Sequence, residues 1–122
     1  MKKIMLSTLA VLGFMLTANA NTLTVYNYTP CFYGISTQGG YLFINPGATN
    51  VVFTSAASNP YTSAKVMDGA TSPSGPWAGQ QVNVGPGASS GTSAAGVACN
   101  SGNPFTVFWS PNGLGNITMM IN

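Results

Sequence analysis

The sequence predicts an all-β domain, a small antiparallel β-sandwich of seven to nine strands carrying one disulfide, and three observations lead there. Short segments alternate apolar and polar residues with a period of two, as half-buried strands do. Turn-forming Gly, Pro and Asn interrupt those segments every 6 to 12 residues or so, the spacing of all-β folds. Beyond residue 20 no stretch holds apolar residues at the i, i+3, i+4, i+7 spacing of an amphipathic helix.

The chain opens with Lys2 and Lys3, then an apolar run from Ile4 to Leu16, then Thr17-Ala18-Asn19-Ala20 with small residues where signal peptidase reads. This is the pattern of a secretory signal peptide over residues 1–20, leaving 21–122 as a single β-sandwich domain. The run falls short of the roughly 20 residues that cross a bilayer, and no later segment is long or apolar enough to do so. The expected location is secreted or periplasmic, with no membrane insertion of the mature chain. The residue after the cut is Asn21, not the Cys that a bacterial lipid anchor requires.

The mature chain then reads strand by strand. Asn21 to Thr37 holds two strand patterns hinged at Thr29-Pro30: Leu23 and Val25 alternate with Thr24, Tyr26 and Tyr28, and Cys31, Tyr33 and Ile35 share a face. Pro30 cannot donate to a ladder and biases Thr29 towards extended geometry. Turns at Gln38-Gly39-Gly40 and Asn45-Pro46-Gly47 bracket a strand from Tyr41 to Ile44, and Asn50 to Thr54 follows with Val51 and Phe53 on one side. Ser63 to Asp68 sets Ala64 and Val66 against Ser63, Lys65 and Met67. Pro73, Gly75 and Pro76 forbid regular structure in the loop from Gly69 to Gly79, around an isolated Trp77. Gln80 to Val84 alternates again. Ala88 to Asn103 is small-residue low complexity, a long loop pinned only through Cys99. The last hairpin, Phe105 to Trp109 and Asn116 to Ile121, collects Phe105, Val107, Trp109, Ile117, Met119 and Ile121 on one face, with Pro111-Asn112-Gly113 as the reversal.

The segment TVYNYTPCFYGISTQGGYLFINPGATNVVF resembles the opening of thaumatin-like proteins: strand, Asn and Cys, strand, Gly-Gly, strand, Pro-Gly, strand. In size and composition the whole chain is more similar to small secreted bacterial β-sandwich proteins of uncharacterised role. The resemblance implies the sandwich alone. Thaumatin-like proteins carry many disulfides and an acidic cleft, whereas this chain has two cysteines and one acid, so no activity or site residue transfers.

Charge is scarce enough to exclude whole classes of function. After residue 20 the charged side chains are Lys65 and Asp68, with no Arg, Glu or His. Nucleic acid as a partner is excluded, because phosphate binding needs several Lys or Arg. A single carboxylate makes no glycosidase pair, and without His there is no Ser-His-Asp triad. Two cysteines and one aspartate do not fill a metal shell, so no metal or cofactor is expected. The sharpest enzymatic alternative is a Ser63–Lys65 dyad, two residues apart on a strand, with nothing near in sequence to activate the lysine. Cys31 and Cys99 are read as one disulfide, since the count is even in an exported chain. A redox thiol would want a CxxC or a His, and a bridge between two chains is the remaining alternative.

The expected function is therefore a non-enzymatic binding or surface-interaction module. Trp77, flanked by Gly and Pro, is either displayed for a ligand or plugs the end of the sandwich. With outward Tyr26, Tyr28 and Tyr61 it would offer flat faces to the sugar rings of a cell-surface or environmental glycan. The alternative is a structural protein that associates through sheet edges, mostly monomeric with weak self-association, and the uncharged segment Asn116 to Ile121 is the candidate edge if it is not central. Two sequons, Asn27-Tyr28-Thr29 and Asn116-Ile117-Thr118, are potential N-glycan acceptors.

Overall fold

A computed structural model describes residues 20–70, 72 and 79–122. The expected signal peptide and Trp77 lie outside the described residues. Nine strands run in the order β1 (Thr22–Asn27), β2 (Tyr33–Thr37), β3 (Gly40–Ile44), β4 (Val51–Thr54), β5 (Ala64–Met67), β6 (Gln81–Val84), β7 (Ser90–Thr92), β8 (Thr106–Pro111) and β9 (Ile117–Ile121), with a 3-10 turn at Ala98–Asn100. They form a five-stranded sheet, β4-β1-β9-β8-β7, and a four-stranded sheet, β3-β2-β5-β6. Among the described residues no helix is long and apolar enough to cross a membrane.

The period-2 pattern decides what each strand buries. In β1, Leu23 and Val25 are fully buried while Thr22, Thr24 and Tyr26 are only partly covered. In β8 and β9, with Phe105 just before β8, the six residues expected on one face are all buried. They meet Tyr33 and Ile35 of β2, Val66 of β5 and Val82 and Val84 of β6 in one apolar cluster between the sheets. Tyr33 and Phe105 cross the core with ring centroids 4.9 Å apart. Met67 breaks the alternation: it faces away from Val66 but is buried. By register it lies beside Gly34, which lies in turn beside Phe43, so a glycine sits between two bulky side chains in that row.

The expected antiparallel order holds for every strand pair except one, since β1 and β9 run parallel, Leu23 opposite Ile117 through Asn27 opposite Ile121. No local pattern shows such a pairing, because its partners stand at opposite ends of the chain. It also places β9 between β1 and β8, so Asn116 to Ile121 is not an edge. The exposed edges are β3, β4, β6 and β7. Part of the small-residue tract is a strand, β7, which pairs with β8 through Ser90 opposite Phe108 and Thr92 opposite Thr106. Beyond it the tract is held as expected by the Cys31–Cys99 bridge, 68 residues apart in sequence. Gly96 lies so close to Gly102 that a Cβ there would overlap its carbonyl oxygen, which makes glycine obligatory at that crossing.

The β8–β9 reversal is wider than the Pro111-Asn112-Gly113 reading. Pro111 is the last residue of β8, opposite Ile117, and Gly115, not Gly113, takes the left-handed backbone at φ 83°. Asn112 organises the loop: its Oδ1 accepts from Leu114 N–H (2.9 Å) and Asn116 N–H (3.1 Å), an Asx turn.

Two buried asparagines clamp the ends of β1. Asn27 is fully buried, and its amide donates to the carbonyls of Cys31 (2.8 Å) and Asn45 (2.9 Å). Its Oδ1 accepts from the Thr29 N–H (3.0 Å) and hydroxyl (2.8 Å). At the other end, Asn21 Nδ2 donates to Tyr61 O (2.7 Å) and Gly115 O (2.9 Å), while its Oδ1 accepts from Tyr61 N–H (2.7 Å). Each amide thus satisfies backbone groups that a turn would otherwise leave buried and unpaired.

Candidate binding surface

The outer face of the five-stranded sheet is built from the residues that alternate with the core. From β1 come Thr22, Thr24 and Tyr26, from β9 Thr118 and Met120, from β8 Thr106, Phe108 and Ser110, from β4 Val52 and Thr54, and from β7 Ser90 and Thr92. The register sorts these into rows. Tyr26 stands opposite Met120, and Met120 opposite Phe108, so an aromatic, a thioether and a second aromatic cross three adjacent strands in line. Two strand spacings separate the rings, on the order of 10 Å. The adjoining row is Val52, Thr24, Thr118 and Ser110, dominated by hydroxyls. Thr92 and Thr106 hydrogen-bond through their hydroxyls at 2.9 Å. No strand of this sheet contains a charged residue.

Tyr28 extends the row. Its N–H donates to Ile121 O (2.9 Å), continuing the β1–β9 pairing beyond Asn27, and its ring stacks on Tyr26 with centroids 6.2 Å apart and an interplanar angle of 17°. Tyr28 is 57% exposed and Phe108 37%. Tyr26 is fixed from the side, its hydroxyl donating to Asn50 Oδ1 at 3.3 Å. The structure therefore brings Tyr26 and Tyr28 together. It does not bring Tyr61 to them: Tyr61, expected to face outward, is 4% exposed and sits at the other end of β1, where the Asn21 amide holds its backbone. Loop position alone concealed that burial. Phe108 and Met120 complete the row, and their place in it follows from register.

Ser63, Gln38 and Asp68, outside this face, have structural partners. Ser63 Oγ accepts a 2.6 Å hydrogen bond from Gln38 Nε2, and Gln38 Oε1 takes the N–H groups of Thr62 and Ser63, so this turn docks the chain entering β5. Lys65 projects from the four-stranded sheet in a cross-strand row with Ser36 and Asn83. Asp68 accepts the Gln80 N–H through Oδ1, and its own N–H donates to Gln80 O (3.1 Å), closing the base of the 69–79 loop. Among the described residues no group of three or more His, Cys, Asp or Glu is placed to hold a metal. Burial pushes the Tyr33 phenol above its ordinary pKa; its hydrogen bond with Thr29 works against the shift, and the charge on Asp68 adds to it. Burial also raises Tyr61.

No protein-family model, curated protein or solved structure matches this chain. The functional reading stands on the surface itself.

A concavity lies at the Asn21 end of the sandwich, a groove of about 460 Å³. Tyr61, Trp109, Ile117 and three prolines, Pro60, Pro86 and Pro111, are among its lining residues. Trp109 is the core residue its alternation predicts, 4% exposed.

The sequon at Asn27 is closed in the folded chain, since both polar atoms of its amide are bonded and the residue is fully buried. Asn116, half-buried, accepts the Thr22 N–H through Oδ1 at 3.0 Å.

Proposed function

We propose that this chain is an exported, non-enzymatic binding module, and that the outer face of its five-stranded sheet receives an uncharged glycan. The row Tyr28, Tyr26, Met120 and Phe108 carries the reading. Sugar rings present C–H faces to aromatic rings and hydroxyls to the groups beside them, and here stacked, exposed rings run alongside a row of threonine and serine hydroxyls. The absence of charge suits a neutral ligand, because no ion on the face needs desolvating. Trp77 belongs to the same reading on sequence grounds.

A glycan array probed with residues 21–122 identifies the ligand, and calorimetry then measures Tyr28→Ala, Phe108→Ala and Trp77→Ala. The first two are expected to weaken binding roughly tenfold or more at little cost in stability, since both side chains are exposed. Affinity should be insensitive to salt and level between about pH 5 and 8, where histidine would titrate and none is present. Unchanged affinity in both Tyr28→Ala and Phe108→Ala would reject the outer face as the site.

Self-association is a second reading, favoured by one observation. None of the four edge strands contains a charged residue, the commonest guard against edge-to-edge pairing, and Tyr41 on β3 is 73% exposed. Weak association that grows with concentration, ignores ionic strength and disappears with Tyr41→Lys would support it. A strict monomer at all concentrations in sedimentation removes it.

A further inference from the structure

Asn112 is the one asparagine of the chain that a glycine follows. Both residues are exposed in the β8–β9 reversal. An asparagine amide is a slow electrophile towards the peptide nitrogen of the next residue, and attack is least hindered where that residue has no side chain. The loop adds three features that favour it. Asn112 Oδ1 accepts from Leu114 N–H (2.9 Å) and Asn116 N–H (3.1 Å), so two backbone donors already sit on the oxygen that turns negative when its carbon is attacked, the arrangement of an oxyanion hole. The Leu114 bond spans Gly113, which folds the side-chain amide along the peptide unit that carries the attacking nitrogen. Around Gly113 the loop is open, since a Cβ built there would meet no atom within 4 Å, and water has access to the bond.

We infer that Asn112–Gly113 is a self-modification site, at which the loop converts its own neutral amide into a carboxylate. The Gly113 nitrogen loses its proton to solvent base and bonds to Asn112 Cγ. The Cγ–Nδ2 bond breaks, solvent returns a proton, and ammonia leaves behind a cyclic succinimide. Water then opens the ring: cleavage between Cγ and the nitrogen gives aspartate, and cleavage at the former backbone carbonyl gives isoaspartate. The two products act differently on the fold. Aspartate keeps the acceptor for both N–H groups and strengthens it by charge. Isoaspartate routes the main chain through the side chain and turns the carbonyl that accepts Gly115 N–H (3.1 Å) into the free carboxylate. That disturbs the reversal gripped by β1, where Asn21 Nδ2 donates to Gly115 O (2.9 Å) and Thr22 N–H to Asn116 Oδ1 (3.0 Å). Either product adds a negative charge to a domain whose only other charged side chains are Lys65 and Asp68, so the age of a molecule is recorded in its charge.

Residues 21–122 are incubated at neutral and mildly alkaline pH, and the acidic species are separated by ion exchange and mapped by peptide mass and isoaspartyl methylation. Conversion should be confined to Asn112, should accelerate with pH, and should outpace that of a capped peptide of residues 110–117, which has the same sequence without the fixed donors. Gly113→Ala is a clean variant, because Gly113 does not take the left-handed backbone and its added methyl group meets nothing. It should slow conversion roughly tenfold, a barrier about 1.4 kcal/mol higher, and leave the unfolding midpoint unchanged. Asn112→Asp should fold with an undiminished midpoint, while material enriched in isoaspartate should melt lower. The inference is overturned if the free peptide converts faster than the folded chain, since the two donors would then be protecting the amide. It is equally overturned if Asn112 stays an amide while other asparagines convert, or if Gly113→Ala leaves the rate unchanged. None of these results bears on Tyr28 and Phe108, so the outer-sheet reading stands or falls separately.

Discussion

Substituting Asn27→Asp changes one side-chain nitrogen to oxygen and should cost this protein several kcal/mol. The carboxylate keeps the acceptor that receives the Thr29 N–H and hydroxyl, but its second oxygen replaces the amide that donates to Cys31 O and Asn45 O. Two carbonyls lose their donor, at about 1–3 kcal/mol each when no water replaces it. A negative oxygen then faces both of them at a fully buried position. Together about 3–5 kcal/mol is expected at pH 7, a large part of the roughly 5–15 kcal/mol that holds a domain together. The cost should shrink in acid. Burial and the facing carbonyls raise the new carboxyl's folded pKa above its unfolded value of about 3.9. The protonated acid also regains one donor. The variant's deficit relative to the natural chain therefore falls as pH drops from 7 towards 4, by about 1.4 kcal/mol per unit of pKa difference. Chemical unfolding followed by near-ultraviolet circular dichroism at both pH values measures this. A deficit under 1 kcal/mol at pH 7, or one that grows in acid, would refute the reasoning that the Asn27 amide anchors the end of β1.

Intact mass and thiol titration of exported protein should give a chain starting at Asn21 with no free thiol, and Cys99→Ser should cost up to about 4 kcal/mol, the chain-entropy value for a loop of this length. Raised phenol pKa values at Tyr33 and Tyr61 stabilise the fold fully below the unfolded tyrosine pKa of about 10, and that stability is lost as pH rises towards the folded values. The unfolding midpoint should accordingly fall between about pH 9 and 11, less steeply in Tyr33→Phe, and a level midpoint over that range would contradict the burial of both hydroxyls.

Strands whose neighbours are close in sequence were legible from alternation. Phe105 to Ile121 shows this best: every residue expected inward is inward, because the partner strand lies one loop away and the two apolar faces define each other. Partnerships across the chain were not legible, and they make the candidate surface. Tyr26 and Phe108 become neighbours only because β9 enters between β1 and β8, a register written in no local pattern. Ser90 to Thr92 was missed as a strand for a related reason. Its residues are small and polar, and it is a strand because β8 supplies a ladder, not through its own propensity. Tyr61 was misplaced outward because its burial depends on Asn21, 40 residues earlier.

The parallel pairing of β1 with β9 has a consequence in time. A chain that emerges N-terminus first exposes Leu23, Val25 and the free side of the β1 ladder until Ile117 to Ile121 arrives, so β1, an inner strand of the larger sheet, is laid down first and paired on its second side last. Contact order is correspondingly high, since the closing contacts join opposite ends of the polypeptide. Until its final five strand residues are out, the larger sheet remains two separate pairs, β4–β1 and β8–β7, while every strand of the smaller sheet has been made by Val84. A chain so ordered remains threadable for as long as it is still being delivered, and a stop a few residues early would leave every strand present but the one that joins β1 to β8.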